Sequence, residues 1–220
     1  MRGLFIVLEG PEGSGKSTQA KRLAERLLQR YSEVIVTREP GGTPTGERIR
    51  TILLDQMECA ILPETEALLL AAARAQHVGE LIRPALERAA AVVCDRFVDS
   101  SLAYQSGGRG LPLDEVRVIQ RMATAGVEPD LRILLDVPVA IGLQRRLGSP
   151  EEINRLDLAG IEFHERVRAC YHQLVAAAPE AWVVIDAERS PDAVAEELWS
   201  AVEQRLTHLA IAGERGRHTA

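Results

Sequence analysis

The sequence predicts an α/β fold, a doubly wound parallel sheet held between two layers of helices. Three observations predict it. Five short apolar runs are spread along the chain, helical patterns lie between them, and a glycine-rich loop with the spacing Gly-x4-Gly-Lys-Ser follows the first run at once. Alternation of strands and helices gives a three-layer α/β/α arrangement, with ligands expected at the strand C-terminal ends.

The first run, LFIVLE at 4–9, is nearly continuous in apolar residues, as a parallel strand covered on both faces should be. After the loop GPEGSGKST (10–18), Ala20, Leu23, Ala24, Leu27, Leu28 and Tyr31 recur at helical spacing and predict one buried stripe. The second run is VIVT (34–37), followed by REPGG and TPTGERIR. A helical stretch, EALLLAAARAQHV, carries Arg74 among apolar residues. The third run, AVVCD (91–95), leads into DRFVDSSLAYQ, and the fourth is LRILLDV (131–137). Phe163, Val167, Cys170, Tyr171 and Leu174 mark another helix, and WVVID (182–186) is the fifth run. Ser190 and Pro191 have the character of an N-cap and first helical position, opening a helix through Leu206. The segment 145–157 has no clear period and is charged, a composition that suits a mobile lid or a solvated loop. The expectation is one domain over 1–209 and a polar tail, 210–220, that frays.

Composition narrows the class. The 220 residues are 46% hydrophobic and 26% charged, which describes a globular chain rather than a disordered one. A net charge of −6 argues against nucleic acid as the main partner. No apolar run approaches the roughly 20 residues that span a membrane, and no signal-peptide pattern opens the chain. Cys59, Cys94 and Cys170 lack metal-ligand spacing and read as buried small residues of a reducing cytoplasm. Of 26 basic residues only Lys16 and Lys21 are lysines, so the lysine at position 16 of so arginine-rich a chain is informative.

The loop chemistry is explicit. Backbone N–H groups of Gly10, Pro11, Glu12, Gly13, Ser14, Gly15, Lys16, Ser17 and Thr18, proline excepted, and the helix start behind them would surround the phosphates of a nucleotide. Lys16 would reach the β- and γ-phosphates, and Ser17 would offer a hydroxyl to Mg²⁺. Glu39, Asp95 and Arg96 would lie beside the loop at the ends of strands two and three, with Arg50 and Arg74 on adjacent helices. Such a set fits a pocket for a second phosphorylated molecule.

Together, GPEGSGKST, TREPGGTPTGERIR, ARAQHV, CDRFVDSSLAYQ, GRG, PDL, NRLD and FHERV resemble, in order, the bacterial thymidylate kinase family over about residues 3–187. The resemblance implies a P-loop NTPase fold with a five-stranded parallel sheet and a mobile lid. It implies a homodimer and transfer of the ATP γ-phosphoryl to dTMP, giving dTDP and ADP for dTTP synthesis, with Mg²⁺ as cofactor. It implies that Arg50 and Arg96 bind the dTMP phosphate, that Arg74, Gln105 and Ser101 face the thymine edge, and that Tyr104 lies against the sugar. Glu12 and Glu39 would lie near the deoxyribose and attacking phosphate, and Asp95 would place Mg²⁺ or its waters. The loop has no arginine between Gly10 and Lys16, so the catalytic guanidinium would come from the lid as Arg155, with Arg145 and Arg146 on the approaching helix and Arg145 toward ATP. Leu70 stands where relatives carry a phenylalanine that stacks on the base. Two rivals stay open at this point: a kinase for dUMP, AMP or dGMP, and a nucleotide-dependent switch module.

Overall fold

The computed structural model describes residues 3–54, 60–148 and 153–217. Its centre is a five-stranded sheet of β1 (Leu4–Glu9), β2 (Val34–Arg38), β3 (Ala91–Asp95), β4 (Leu131–Asp136) and β5 (Trp182–Asp186), in the order β2-β3-β1-β4-β5 with every pairing parallel. Around it lie α1 (Lys16–Leu27), α2 (Pro44–Leu54), α3 (Pro63–His77), α4 (Arg83–Glu87), α5 (Val98–Ser101), α6 (Leu113–Thr124), α7 (Val139–Leu147), α8 (Ile161–Ala177) and α9 (Pro191–Arg217). Wider π-helical turns, Val78–Ile82 and Leu102–Gly108, continue α3 and α5.

The two-residue period of a strand divides the core. Leu4, Ile6 and Leu8 face one side of the sheet with Leu23 and Leu27 of α1 and Leu198 of α9. Phe5 and Val7 face the other with Val78, Ile82 and Ala85. A third cluster joins Leu102 and Tyr104 to Leu134 and to Phe163, Val167 and Tyr171 of α8. Each fully buried aliphatic or aromatic side chain contributes about 1.5–3 kcal/mol.

Several expectations need correction. Leu28 at the end of α1 is 58% exposed: it keeps helical dihedrals, and at about 100° per residue it falls at the edge of the buried stripe rather than within it. Val36 and Val184 are exposed, since β2 and β5 are edge strands and helices do not cover both of their faces fully. Ser190 caps α9 as expected, accepting the Ala193 N–H at 3.3 Å, but the helix continues past Leu206 to Arg217. The predicted frayed tail is thus helical through Arg217, and its last three residues, like Cys59 and 149–152 of the lid, lie outside the described residues.

Candidate functional site

β1 is the switch point of the sheet, because the chain leaves it toward β2 and β3 on one side and reaches β4 and β5 on the other. At its C-terminal end opens a cleft of about 1060 Å³. Of the loop, Glu12, Gly13, Gly15, Lys16, Ser17 and Thr18 line it, while Gly10, Pro11 and Ser14 form its supporting side. Glu39, Arg50, Leu70, Arg74, Asp95 and Arg96 line it too, as do Ser101, Tyr104, Gln105 and Arg145. The structure therefore brings together all the sequence-predicted site residues except Arg155 and those three loop supports.

The loop closes on itself through Lys16, whose Nζ donates to the carbonyls of Gly10 (3.1 Å) and Pro11 (2.8 Å) and to Ser14 Oγ (3.1 Å). Burial, with Arg96 nearby, lowers the ammonium pKa to about 8 despite Asp95 and Glu12. Gly15 has φ +86°, a left-handed turn that L side chains seldom adopt, and it launches α1 behind the loop. Gly13 meets α7 with no side chain between them: a Cβ there would lie 2.0 Å from the Gly142 carbonyl oxygen, and a Cβ on Gly142 would lie 2.3 Å from that of Glu12.

Arg96 faces the loop from the end of β3. Its backbone is held at φ +71°, a strained position for a residue with a side chain. Its guanidinium donates to Glu12 Oε2 (2.7 Å), the Gly10 carbonyl (3.0 Å) and Ser100 Oγ (3.2 Å). Burial alone would raise the Glu12 carboxyl, but Arg96, Lys16 and the Tyr104 hydroxyl hold it at about 2. The negative charge in the loop thus faces Arg96 and orients its guanidinium. Glu9 supports this corner from the end of β1. It accepts from the Phe97 N–H (2.8 Å), the Ser100 hydroxyl (2.5 Å) and the Tyr171 hydroxyl (2.9 Å).

The six residues before Arg74, Leu68 to Ala73, are all apolar, yet other elements surround it with acceptors. It donates to Glu39 Oε2 (2.7 Å), Ser101 Oγ (2.9 Å), the Phe97 carbonyl (2.7 Å) and Gln120. Glu39 also pairs with His77 at 2.9 Å. Arg50 donates to the Pro40 carbonyl at 2.9 Å, and burial followed by Arg38 lowers its pKa. Arg145 reaches the carbonyls of Ala187 (2.7 Å) and Glu188 (3.2 Å) beyond β5.

Arg155 lies outside the cleft lining. Its guanidinium pairs with Glu66 and donates to the Leu53 carbonyl (3.2 Å). Glu66 is 1% exposed, and Arg155 joins Arg109 in neutralising its buried carboxylate, which would be costly unpaired. Arg146, by contrast, lines the cleft and donates to Asp157 Oδ2 at 3.0 Å.

The thymidylate kinase family model matches residues 8–198. The chain belongs to the thymidylate kinase family. It is 53% identical over 200 residues to the thymidylate kinase of Thermomicrobium roseum, covering 91% of this chain and 94% of that one. Identity to the Deinococcus radiodurans thymidylate kinase is 50% over 206 residues, with 93% and 98% coverage. The crystal structure of thymidylate kinase from Ehrlichia chaffeensis superposes with a TM-score of 0.74 at 30% identity, covering 92% of this chain and 99% of that one. The chain is accordingly an ATP-dependent phosphotransferase acting on dTMP, and the rival readings are not favoured.

Mg²⁺ requires hard oxygen donors. Ser17 Oγ donates to Asp95 Oδ2 at 2.6 Å, so two hard oxygen ligands stand together beside the phosphate loop of the kinase. Among the described residues no cluster of three or more His, Cys, Asp or Glu could cage an ion. That sparse set fits Mg²⁺, which is held by one or two protein oxygens together with phosphates and water. Glu9, Glu66, Asp157 and Tyr171 were not anticipated. The one sequence signal was the helical spacing of Glu66, Leu70 and Arg74, at i, i+4 and i+8 on one face of α3.

Proposed function

We propose that the cleft divides its labour along the line from Lys16 to Arg96. Residues Gly10 to Thr18 hold the ATP phosphates, with Lys16 on the β- and γ-oxygens. Arg50 and Arg96 hold the dTMP phosphate. Leu70, Arg74, Ser101 and Gln105 receive the thymine, Tyr104 lies against the sugar, and Glu39 steadies Arg74. The observation that carries this reading is a shared carbonyl: Lys16 Nζ and an Arg96 guanidinium nitrogen both donate to Gly10 O, at 3.1 and 3.0 Å. Two cations converging on one atom support a reading in which donor and acceptor phosphates meet beside them, as an in-line transfer needs.

Catalysis then rests on positioning and charge. Glu12 stays ionised and fixes Arg96 toward the acceptor phosphate. Lys16 and Arg96 stabilise charge as it redistributes on the transferring group, and Arg146 meets it from α7. Mg²⁺, held by Ser17 and by Asp95 directly or through water, would neutralise phosphate charge when bound.

The same reading includes a cytoplasmic homodimer. Leu68 of α3 and Val118 and Met122 of α6 are exposed, Met122 at 81%, on two helices that pack together. An apolar face of this kind is suited to a second copy of the chain. No helix among the described residues is long and apolar enough to cross a membrane. The deciding experiment is a coupled ADP-release assay with ATP, Mg²⁺ and dTMP, dUMP, AMP or dGMP in turn. Fastest turnover is expected with dTMP, and a preference for a purine monophosphate would overturn the assignment of the base pocket.

A further inference from the structure

Glu66 lies in the first turn of α3 with its carboxylate buried, and three side chains from two other parts of the fold end on it. From the turn after α5, Gln105 Nε2 donates at 3.0 Å, and Arg109 donates through Nε and a terminal nitrogen, both at 3.1 Å. From the segment after α7 comes Arg155. Burial opposes ionisation of Glu66, and the hydrogen bonds from Arg109 and Arg155 outweigh it, lowering the pKa.

The placement of neighbours gives this hub a consequence. Asn154 and Leu156 line the cleft, while Arg155 between them turns the other way to Glu66 and the Leu53 carbonyl. The Arg155 N–H also meets the Leu54 carbonyl at 3.4 Å. Next in the chain, Asp157 accepts from the Asn154 N–H (2.9 Å) and from Arg146 Nε (3.0 Å). Anchoring residue 155 therefore sets residues 154 and 156 over the cleft and the carboxylate that orients Arg146. On the other arm, a carboxylate can only accept, so Glu66 fixes which end of the Gln105 amide it meets.

We propose that Glu66 and Arg155 are positioning residues, an anchor through which one buried carboxylate sets both the Gln105 side of the dTMP pocket and the turn that orients Arg146. The anchor acts through other groups and touches neither phosphate. The two arms make separable demands. Replacing Glu66 disturbs both the pocket and the turn, whereas replacing Arg155 disturbs the turn alone.

The test compares Glu66→Gln, Arg155→Gln and the double variant, with kcat at saturating ATP and dTMP, dTMP affinity by calorimetry, and Tm. Each single variant should lower kcat by between about ten- and a hundredfold, the range for a misplaced group far from the chemistry. The double variant should be no slower than the slower single. Affinity for dTMP should weaken several-fold in Glu66→Gln and stay unchanged in Arg155→Gln. A merely structural role would lower Tm without moving kcat of the folded enzyme or dTMP affinity, and that result overturns the anchor. So does a loss of about 10³-fold or more in Arg155→Gln beside wild-type kcat in Glu66→Gln, because Arg155 would then act on the phosphoryl itself. Multiplying losses in the double variant also overturn it. Should Glu66→Gln fail to fold, Arg155→Gln decides alone, by loss within about a hundredfold at unchanged dTMP affinity or loss of about 10³ or more. Wild-type turnover of dTMP in the same assay keeps this outcome distinct from a failure of the substrate reading.

Discussion

Arg96 lies across the face of Tyr104, its guanidinium carbon 4.8 Å from the ring centroid, and the two side chains take opposite oxygens of the Glu12 carboxylate at 2.7 Å each. Ring, carboxylate and strained backbone together leave the guanidinium little freedom, so its ordering cost is met during folding rather than when substrate arrives.

Glu12→Gln should release that arrangement and lower turnover, and its effect on stability should depend on pH. The carboxyl is held at about 2 against an ordinary 4.5, so the unfolded chain binds more protons between those values. Stability from Glu12 is thus fully present above about 4.5 and lost as pH falls toward about 2. Urea unfolding of both proteins across this range should show the variant weaker at neutral pH and the gap narrowing in acid.

Lys16→Met should abolish phosphoryl transfer and leave Tm near neutral pH unchanged or raised. The ammonium is lowered to about 8 from 10.5, so between these values the unfolded chain holds more protons and stability rises with pH. Below about 8 the cost of burying the charge is fully present, and methionine removes it. Turnover and circular dichroism melts, measured together, check both halves. ATP affinity of the unmutated enzyme should fall as pH rises through about 8, where the loop loses its charge.

Arg146→Ala should cut kcat by about 10³-fold or more, as loss of other transferring-phosphate arginines does, with a smaller change in dTMP affinity. Steady-state kinetics with calorimetry separate the two. Wild-type kcat in this variant would remove Arg146 from the transfer step.

Leu70→Phe should tighten dTMP binding by a few-fold to about tenfold, since an offset-stacked ring adds roughly 0.5–1.5 kcal/mol beyond its buried area. Leu70 lines the cleft, but Ala71 and Ala73 beside it are buried, which makes overpacking the competing outcome. Calorimetric titration decides, with Tm alongside: weaker binding with lost stability signals overpacking, and weaker binding at unchanged Tm counts against the stacking contact.

If the proposed homodimer meets through the exposed apolar face of α3 and α6, Met122→Glu should shift it toward monomer, because a carboxylate placed there must be dehydrated for two copies to meet. Sedimentation velocity over a concentration series checks it. An unchanged dimer would move the interface elsewhere.

The sheet and the phosphate loop were legible because their signals are local: an apolar run, a period, a fixed spacing. Arg74 was conspicuous for the same reason, as a charge in an apolar helix. Its partners Glu39, Ser101 and Gln120 were not legible as partners, since they lie 27 to 46 positions away and only the fold brings them in. Glu9 read as the end of a strand, and nothing nearby in the chain shows that it gathers Phe97, Ser100 and Tyr171. Arg155 read as a lid arginine from its local motif, and its buried partner Glu66 was not legible because it lies 89 positions away.

The contact of Gly13 with Gly142 makes the phosphate loop and α7 a single strut. Backbone rests on backbone there, so neither can shift without carrying the other, and no side chain stands between them to absorb the motion. Arg145 and Arg146 sit one helical turn beyond that fulcrum. Nucleotide phosphates that stiffen the loop therefore also brace the arm bearing the two arginines, and a single methyl group at either glycine would lever them out of alignment.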